Sequence, residues 1–474
     1  MFTPSEIRKV HLVGIGGTAM AALAGMLQGR GIKVSGSDQG VYPPMSDFLA
    51  QREIRVREGY GPQNLDPDLD LVVIGNALSR GNPEVEAVLD RGLVYRSLPE
   101  VLKEWFIQGK CSLVVTGTHG KTTTASLLAW ILQQAGRDPS FMVGGIPRNF
   151  PSGFRLGAGR EIVLEGDEYD TAFFDKRPKF LHYLPRIVTL GAVEYDHADI
   201  YQDMGELMKA FRWLLRIIPG TGRLVINAAD RNGVELSREA LCPVVTCVLD
   251  GEADWSAGGI RVEDGRVCFQ VRHHGLLVGD CSWPLAGRHN VLNGLLAMAA
   301  AEAAGVSPEV SLEALRSFQG VRRRLEYLGE WAGVRIYDDF AHHPTAISAS
   351  LEALRGLHPG RRIWALFEPR SNTMCRRVFQ DELPEAFGRA DRVILAGVHR
   401  AERLAPEDRL DPEAVVARLR EMGIGAWSIP QVPQMVRFLA GQVEPGDVIC
   451  IMSNGGFGGI QGLIRAALLD VQTP

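Results

Sequence analysis

The stretch Val114-Val-Thr-Gly-Thr-His-Gly-Lys-Thr-Thr-Thr124 decides the fold. An apolar β-branched run passes through two glycines into an apolar helical pattern, the succession of a buried strand, a tight turn and a helix. Gly117 and Gly120 let backbone N–H groups turn inward at a helix N-terminus, where the peptide dipoles favour an anion. Lys121 is then placed to neutralise β and γ phosphates, and the Thr122 hydroxyl to ligate Mg2+. Val115 stands where the full G-x-x-x-x-G-K-[ST] pattern has its first glycine, so this is a shortened P-loop.

Outward from that loop, the chain repeats the strand, glycine turn and helix pattern twice more. Val10-His-Leu-Val-Gly-Ile-Gly-Gly17 opens a unit that continues through Ile32-Lys-Val-Ser and Leu71-Val-Val-Ile, and we expect a Rossmann-like domain over 1–109. The central unit, 110–318, has further strand candidates at 161–164, 187–190 and 224–227. Between 244 and 283 the periodicity shortens to alternating segments with turns at Asp250-Gly, Gly258-Gly and Asp264-Gly. That pattern predicts a small antiparallel sheet appended to a P-loop-type ATPase, hence a mixed sheet. A third unit, 319–474, places strands at 334–337, 363–367, 393–395 and 448–452 and reads as Rossmann-like. The class is α/β with three domains, as 474 residues allow.

Lys plus Arg number 51 against 56 Asp plus Glu, so there is no overall positive field to hold nucleic acid or an anionic membrane. Any anion must be caught locally. The seven cysteines are scattered without a C-x-x-C, which argues against a disulfide framework or zinc site. No apolar run reaches the ~18 to 20 residues of a bilayer span, and a cytoplasmic location is expected.

Other constellations carry chemistry. Gly14, Gly16 and Gly17 follow a strand, but Ala19 breaks the G-x-G-x-x-G pattern; a backbone approaches something closely there, and Asp38 could bind a ribose. That leaves a dehydrogenase as one alternative and a nucleotide-gated binding protein as another. Glu165-Gly-Asp-Glu-Tyr-Asp170 and Glu194-Tyr-Asp-His-Ala-Asp199 each follow a strand and should meet beside the P-loop, with Glu165 and His197 as preferred Mg2+ ligands. Asn290 and Asn293, three apart at a helix start, could read an adenine edge or cap the helix.

The order of these motifs, together with Ser35-Gly-Ser-Asp38, Gly287-Arg-His-Asn-Val-Leu-Asn293 and Asp338-Asp-Phe-Ala-His-His-Pro344, resembles the Mur ligases of bacterial peptidoglycan synthesis along essentially the whole chain. The resemblance implies a cytoplasmic, ATP- and Mg2+-dependent ligase. Gly14, Gly16 and Gly17 would hold the diphosphate of a UDP-sugar, with Ser37 and Asp38 near the uridine. Gly117, Thr118, His119, Gly120, Lys121, Thr122 and Thr123 would hold the ATP phosphates, and Thr122, Glu165 and His197 the metal. Asn290 and Asn293 would read adenine, Arg324 would reach a phosphate and Asp339 the ribose. Lys121, Glu165 and His197 would carry the catalysis.

Two kinds of member share the motifs: one joins L-alanine to UDP-N-acetylmuramate, the other joins the recycled tripeptide L-alanyl-γ-D-glutamyl-meso-diaminopimelate to the same sugar. Phe367-Glu-Pro-Arg-Ser-Asn-Thr-Met374 and Ser453-Asn-Gly-Gly-Phe-Gly-Gly459 look like the second. Arg370, Ser371, Asn372 and Thr373 would then bind the peptide acceptor.

Overall fold

The computed structural model describes residues 6–42 and 45–470. At the N-terminal end a five-stranded sheet, all parallel, has the order Arg55–Glu58, Lys33–Asp38, Lys9–Val13, Leu71–Ile74, Tyr95–Ser97. Leu71–Ile74 is buried at every position, as a strand covered on both faces must be. From Lys9–Val13 the chain crosses first to one neighbour and later to the other. Its carboxyl end, where Gly14–Gly17 lead into the helix Thr18–Gly29, is therefore a topological switch point.

The central sheet has ten strands. Cys111–Thr116 lies between Ile187–Leu190 and Glu161–Glu165, parallel to both. This order brings the loops after Leu190 and Glu165 to either side of the P-loop. The antiparallel strands Trp255–Glu263, Arg266–His273 and Leu276–Trp283 are appended to the central sheet itself: Trp255–Glu263 pairs in parallel with Val244–Leu249, so they extend the sheet edge and make it mixed, as expected. Trp255, Phe269 and Trp283 explain why, because they share one core with the helices Lys121–Gln134 and Arg288–Ala303, and a detached sheet would leave them in water.

A six-stranded sheet follows, in the order Glu326–Trp331, Val334–Asp339, Val448–Met452, Ile363–Phe367, Arg392–Leu395, Gly425–Ser428. Its first pair is antiparallel and the others are parallel. Among the described residues no helix is long and apolar enough to cross a membrane.

The first two sheets are joined through apolar contact. Helix Thr18–Gly29 has Gly25 facing the rings of Phe154 and Phe48, so close that a Cβ there would run into both. We predict that Gly25→Val costs about 1–3 kcal/mol by overpacking this contact and lowers the thermal midpoint by several degrees. An unchanged melting profile would show that the two domains are not packed through this helix.

Candidate active site

The P-loop is built by two left-handed glycines. Gly117 has φ 113°, and a Cβ on it would come within 2.9 Å of the Ala192 carbonyl oxygen; Gly120 has φ 76° and begins the helix Lys121–Gln134. Thr118 ties the loop to its neighbour: its N–H donates to Ala192 O at 2.7 Å, its hydroxyl donates to Glu194 O at 2.9 Å, and Glu194 N–H donates back to the hydroxyl at 2.9 Å. The Thr118 hydroxyl thus holds the loop. His119 points the same way, with Nε2 3.0 Å from Glu194 Oε2.

Lys121 donates to Gly117 O at 2.8 Å and to both carboxylate oxygens of Glu168, at 2.9 and 3.2 Å. The Glu168 side chain is 1% exposed. It also receives His197 Nε2 at 3.0 Å, and Tyr201 Oη donates to its carbonyl at 2.6 Å. Burial alone would push the Glu168 carboxyl up, but Lys121 and His197 outweigh it and hold the group well below the usual carboxylate range. For His197 burial opposes the charged form, yet the hydrogen bond and charge of Glu168 raise its pKa. His197 has φ 60°, an uncommon backbone state for a residue with a Cβ, and its ring packs on Tyr169 at 3.9 Å between centroids. Glu168 is the residue that the sequence reading left out of the site. Its signal was its place in the acidic run after Glu165, since a buried ammonium needs a carboxylate partner.

Glu165 lies across the loop. Its Oε2 accepts from Gly144 N–H, while Oε1 is buried with no partner among the described residues. Burial, with Asp167 nearby, raises its pKa. Thr122 accepts at its hydroxyl from Arg324 of the third sheet's domain, at 2.8 Å, and Thr123 is buried in the same helical turn. An orphaned carboxylate oxygen beside a hydroxyl suits a hard cation. His197 could join that set only by releasing Glu168.

A cavity of about 200 Å³ connects this centre to the first domain, with Gly17, Thr18 and Asn76 on one wall and Gly144, Glu165 and Lys179 on the other. On the first-domain side Gly14 has φ 85° and donates to Ser37 O at 2.8 Å, and Gly16 N–H donates to Asp38 Oδ2 at 2.8 Å. Ser37 is bound within its own domain. Its side chain is fully buried and donates to Glu84 at 2.8 Å, in a knot that also holds His11 Nε2 at 2.7 Å and Asn64 at 2.8 Å.

Other candidates divide in the same way. Asn290 donates to Ala286 O at 2.7 Å and accepts from Asn293 at 3.2 Å; Asn293 Oδ1 lies over Gly120, at the phosphate loop. Asp339 accepts from Ala341 N–H at 2.8 Å and from Ser350 at 2.9 Å, so both oxygens serve their own domain. Burial raises its pKa.

Arg370 donates to Glu368 at 3.3 Å on the wall of a cavity of about 360 Å³, while Ser371 accepts from Met374 N–H at 3.2 Å. Asn372 donates to Asp199 at 2.7 Å and Thr373 accepts from Ala198 N–H at 3.1 Å, which joins this loop to the segment just after His197. Their observed contacts are between domains.

The profile of the Mur ligase family catalytic domain matches residues 9–109, that of the Mur ligase middle domain 115–301, and that of the Mur ligase glutamate ligase domain 323–455. The UDP-N-acetylmuramate:L-alanyl-γ-D-glutamyl-meso-2,6-diaminoheptandioate ligase of Escherichia coli is 43% identical over 458 residues, 95% of this chain and 96% of its own. The chain belongs to the Mur ligase family. Within it, the UDP-N-acetylmuramate:L-alanine ligase of Symbiobacterium thermophilum is 34% identical over 98% of this chain and 95% of its own. The crystal structure of a murein peptide ligase from Psychrobacter arcticus superposes with a TM-score of 0.76 at 35% identity, covering 98% of this chain and 100% of that one. Membership in this ligase family leaves the dehydrogenase alternative without support.

Glu168→Gln removes the charge that pairs with Lys121 and His197. Because the Glu168 carboxyl is held below its usual 4.5, its stabilisation is present above that pH and is lost as pH falls through the depressed value. We predict a loss of about 2–4 kcal/mol near neutrality, with the gap in thermal midpoint from wild type closing in acid. A gap independent of pH would remove the ion pair from this account.

Proposed function

We propose that this chain is an ATP-dependent ligase that joins the amine of L-alanyl-γ-D-glutamyl-meso-diaminopimelate to the lactyl carboxylate of UDP-N-acetylmuramate, in recycling of cell-wall peptide. The observation that carries the reading is the 43% identity, spread over 95% of the chain, to the Escherichia coli ligase whose name states those substrates. The alanine ligases are alike at lower identity, 34% for the Symbiobacterium thermophilum protein.

A carboxylate is a poor electrophile because its leaving group would be oxide. Phosphorylation by ATP removes that obstacle: the lactyl oxygen attacks the γ-phosphorus, ADP leaves, and an acyl phosphate forms. The acceptor amine then attacks the acyl carbon, and the tetrahedral intermediate expels phosphate. Gly14, Gly16 and Gly17 would place the sugar diphosphate at the N-terminus of helix Thr18–Gly29, with the lactyl group in the cavity leading to Glu165. Lys121 would exchange Glu168 for the γ-phosphoryl group and stabilise its charge during transfer. Thr122 and Glu165, joined by His197 if it leaves Glu168, would hold Mg2+, which neutralises phosphate oxygens. Asn293 lies where it can meet the nucleotide, and Arg324 reaches the P-loop from the third domain. With that domain docked, water is excluded while the acyl phosphate exists.

Lys121→Ala should abolish ligation, with a barrier raised by about 3 kcal/mol or more, while UDP-N-acetylmuramate still binds with wild-type affinity by calorimetry. Activity within threefold of wild type would show the P-loop assignment to be wrong. In an acceptor panel, phosphate release should require the sugar nucleotide and be fastest with the tripeptide. Preference for free L-alanine would move the chain to the alanine ligases, and ATP hydrolysis without either substrate would favour a nucleotide-gated binding protein.

A further inference from the structure

Three groups able to ligate an ion meet at the junction of the second and third domains. His119 comes from the phosphate loop, Glu194 from the loop after strand Ile187–Leu190, and His343 from the start of helix Pro344–Leu357 in the third domain. His119 Nε2 is 3.0 Å and His343 Nδ1 is 3.6 Å from Glu194 Oε2, and all three atoms lie within 4.8 Å of one another. A tetrahedral ion with bonds of about 2.0–2.1 Å separates its ligand atoms by about 3.3–3.4 Å. Both distances to Glu194 are close to that, and the two imidazole nitrogens have at most about 1.4 Å to close by ring rotation. No cysteine takes part, so the spacing of the cysteines gave no sign of this cluster.

The neighbours of His343 fix it in the form an ion requires. Its Nε2–H donates to Tyr195 O at 3.3 Å and its Nδ1 accepts from Thr345 N–H at 3.3 Å, so the ring is neutral with its lone pair on Nδ1, the atom that faces Glu194. Phe379 packs edge to face on the same ring, 4.6 Å between centroids. Thr345 Oγ1 donates to Glu194 Oε2 at 2.6 Å and orients the carboxylate, as hydrogen bonds to metal ligands do. The bond from Thr345 N–H is long, and an ion would displace it. At His119 the ion would take the place of the proton shared with Glu194, leaving the ring as its Nδ1–H tautomer. The His343 side chain is 5% exposed, against 22% for His119 and 34% for Glu194, so an ion enters past the last two and keeps water as its fourth ligand.

The donor set differs in kind from the one proposed for Mg2+. Thr122 and Glu165 offer oxygen, and Mg2+ gives up its water reluctantly. Two imidazole nitrogens and one carboxylate favour a borderline ion such as Zn2+, for which two histidines, a glutamate and a water are an established tetrahedral set. The ligands also stand on opposite sides of a junction held by hydrogen bonds such as Arg324 to Thr122 and Asn372 to Asp199. An ion bound by all three ties the third domain to the phosphate loop far more firmly than those bonds do.

We infer that His119, Glu194 and His343 form a Zn2+ site that spans the second and third domains and, when filled, locks the third domain against the phosphate loop. The ion site stands on its own geometry. Its effect on turnover rests on the ligase reading given above, in which the third domain closes over the reacting groups and must release them.

The test uses the full chain, stripped of metal with a chelator, as wild type and as two variants on opposite sides of the junction, Glu194→Gln and His343→Asn. Asparagine is chosen because it also caps a helix, and thermal melting without metal confirms that each variant is folded. Calorimetry with Zn2+ should show one tight site in wild type, weakened about a hundredfold or more in either variant. Co2+ in place of Zn2+ should give the strong visible absorption of a tetrahedral site in wild type alone. In ligation at saturating Mg2+, Zn2+ should slow wild type at least tenfold and His343→Asn by less than threefold, each against its own rate without Zn2+. Zn2+ affinity unchanged in His343→Asn would put the ion on the second domain alone and overturn the inference, as would equal affinities in all three proteins. Equal inhibition of wild type and His343→Asn would overturn the lock. A chain that binds Zn2+ as expected but ligates no acceptor would uphold the ion site and remove the ligase reading instead.

Discussion

Lys121 and Glu168 make the contact on which the rest of the site depends. An ammonium at the floor of a phosphate loop cannot stay buried and charged alone and needs a carboxylate partner. Glu168 meets that need and, through Oε1, to which Lys121 also donates, fixes His197. The strand order makes the arrangement possible. Because Cys111–Thr116 lies between Glu161–Glu165 and Ile187–Leu190, the loops bearing Glu168 and His197 flank the lysine from opposite sides. One buried carboxylate thus links three segments of sequence that no local pattern connects.

The two domain junctions have different physical character, and the difference matters for turnover. The first domain meets the second through Gly25, Phe48 and Phe154, an apolar contact that is costly to open. The third meets it through Arg324 to Thr122, Asn372 to Asp199, Thr373 to Ala198 N–H and Thr345 to Glu194. Polar contacts of this kind exchange readily for water, and relative motion of domains joined by them is the default expectation. On the proposed reading, substrates would enter by release of the third domain, with the first held in place. Arg324, bound to Thr122, would then complete the proposed phosphate site only in the docked arrangement.

Much of this was legible in the sequence, because it depends on local rules. Gly117, Gly120 and Lys121 announce a phosphate loop through backbone freedom and charge, and the acidic runs after two strands announce where they must converge. What could not be read depends on partners distant in sequence. Thr118 donates its hydroxyl to the Glu194 carbonyl and Ser37 donates to Glu84, contacts that no local pattern announces. The strands from 255 to 283 show a hairpin pattern and form the expected mixed sheet, but that Val244–Leu249 would pair in parallel with the first of them depends on Trp255, Phe269 and Trp283 sharing a core with two helices.

The most direct measurement of the central claim, that these domains converge to activate a sugar carboxylate, follows an oxygen atom. UDP-N-acetylmuramate labelled with oxygen-18 in its lactyl carboxylate is turned over with ATP and the tripeptide, and the inorganic phosphate is analysed by mass spectrometry or phosphorus NMR. Activation through an acyl phosphate predicts one labelled oxygen in each phosphate released. Phosphate without label, formed while peptide is ligated, would contradict the account.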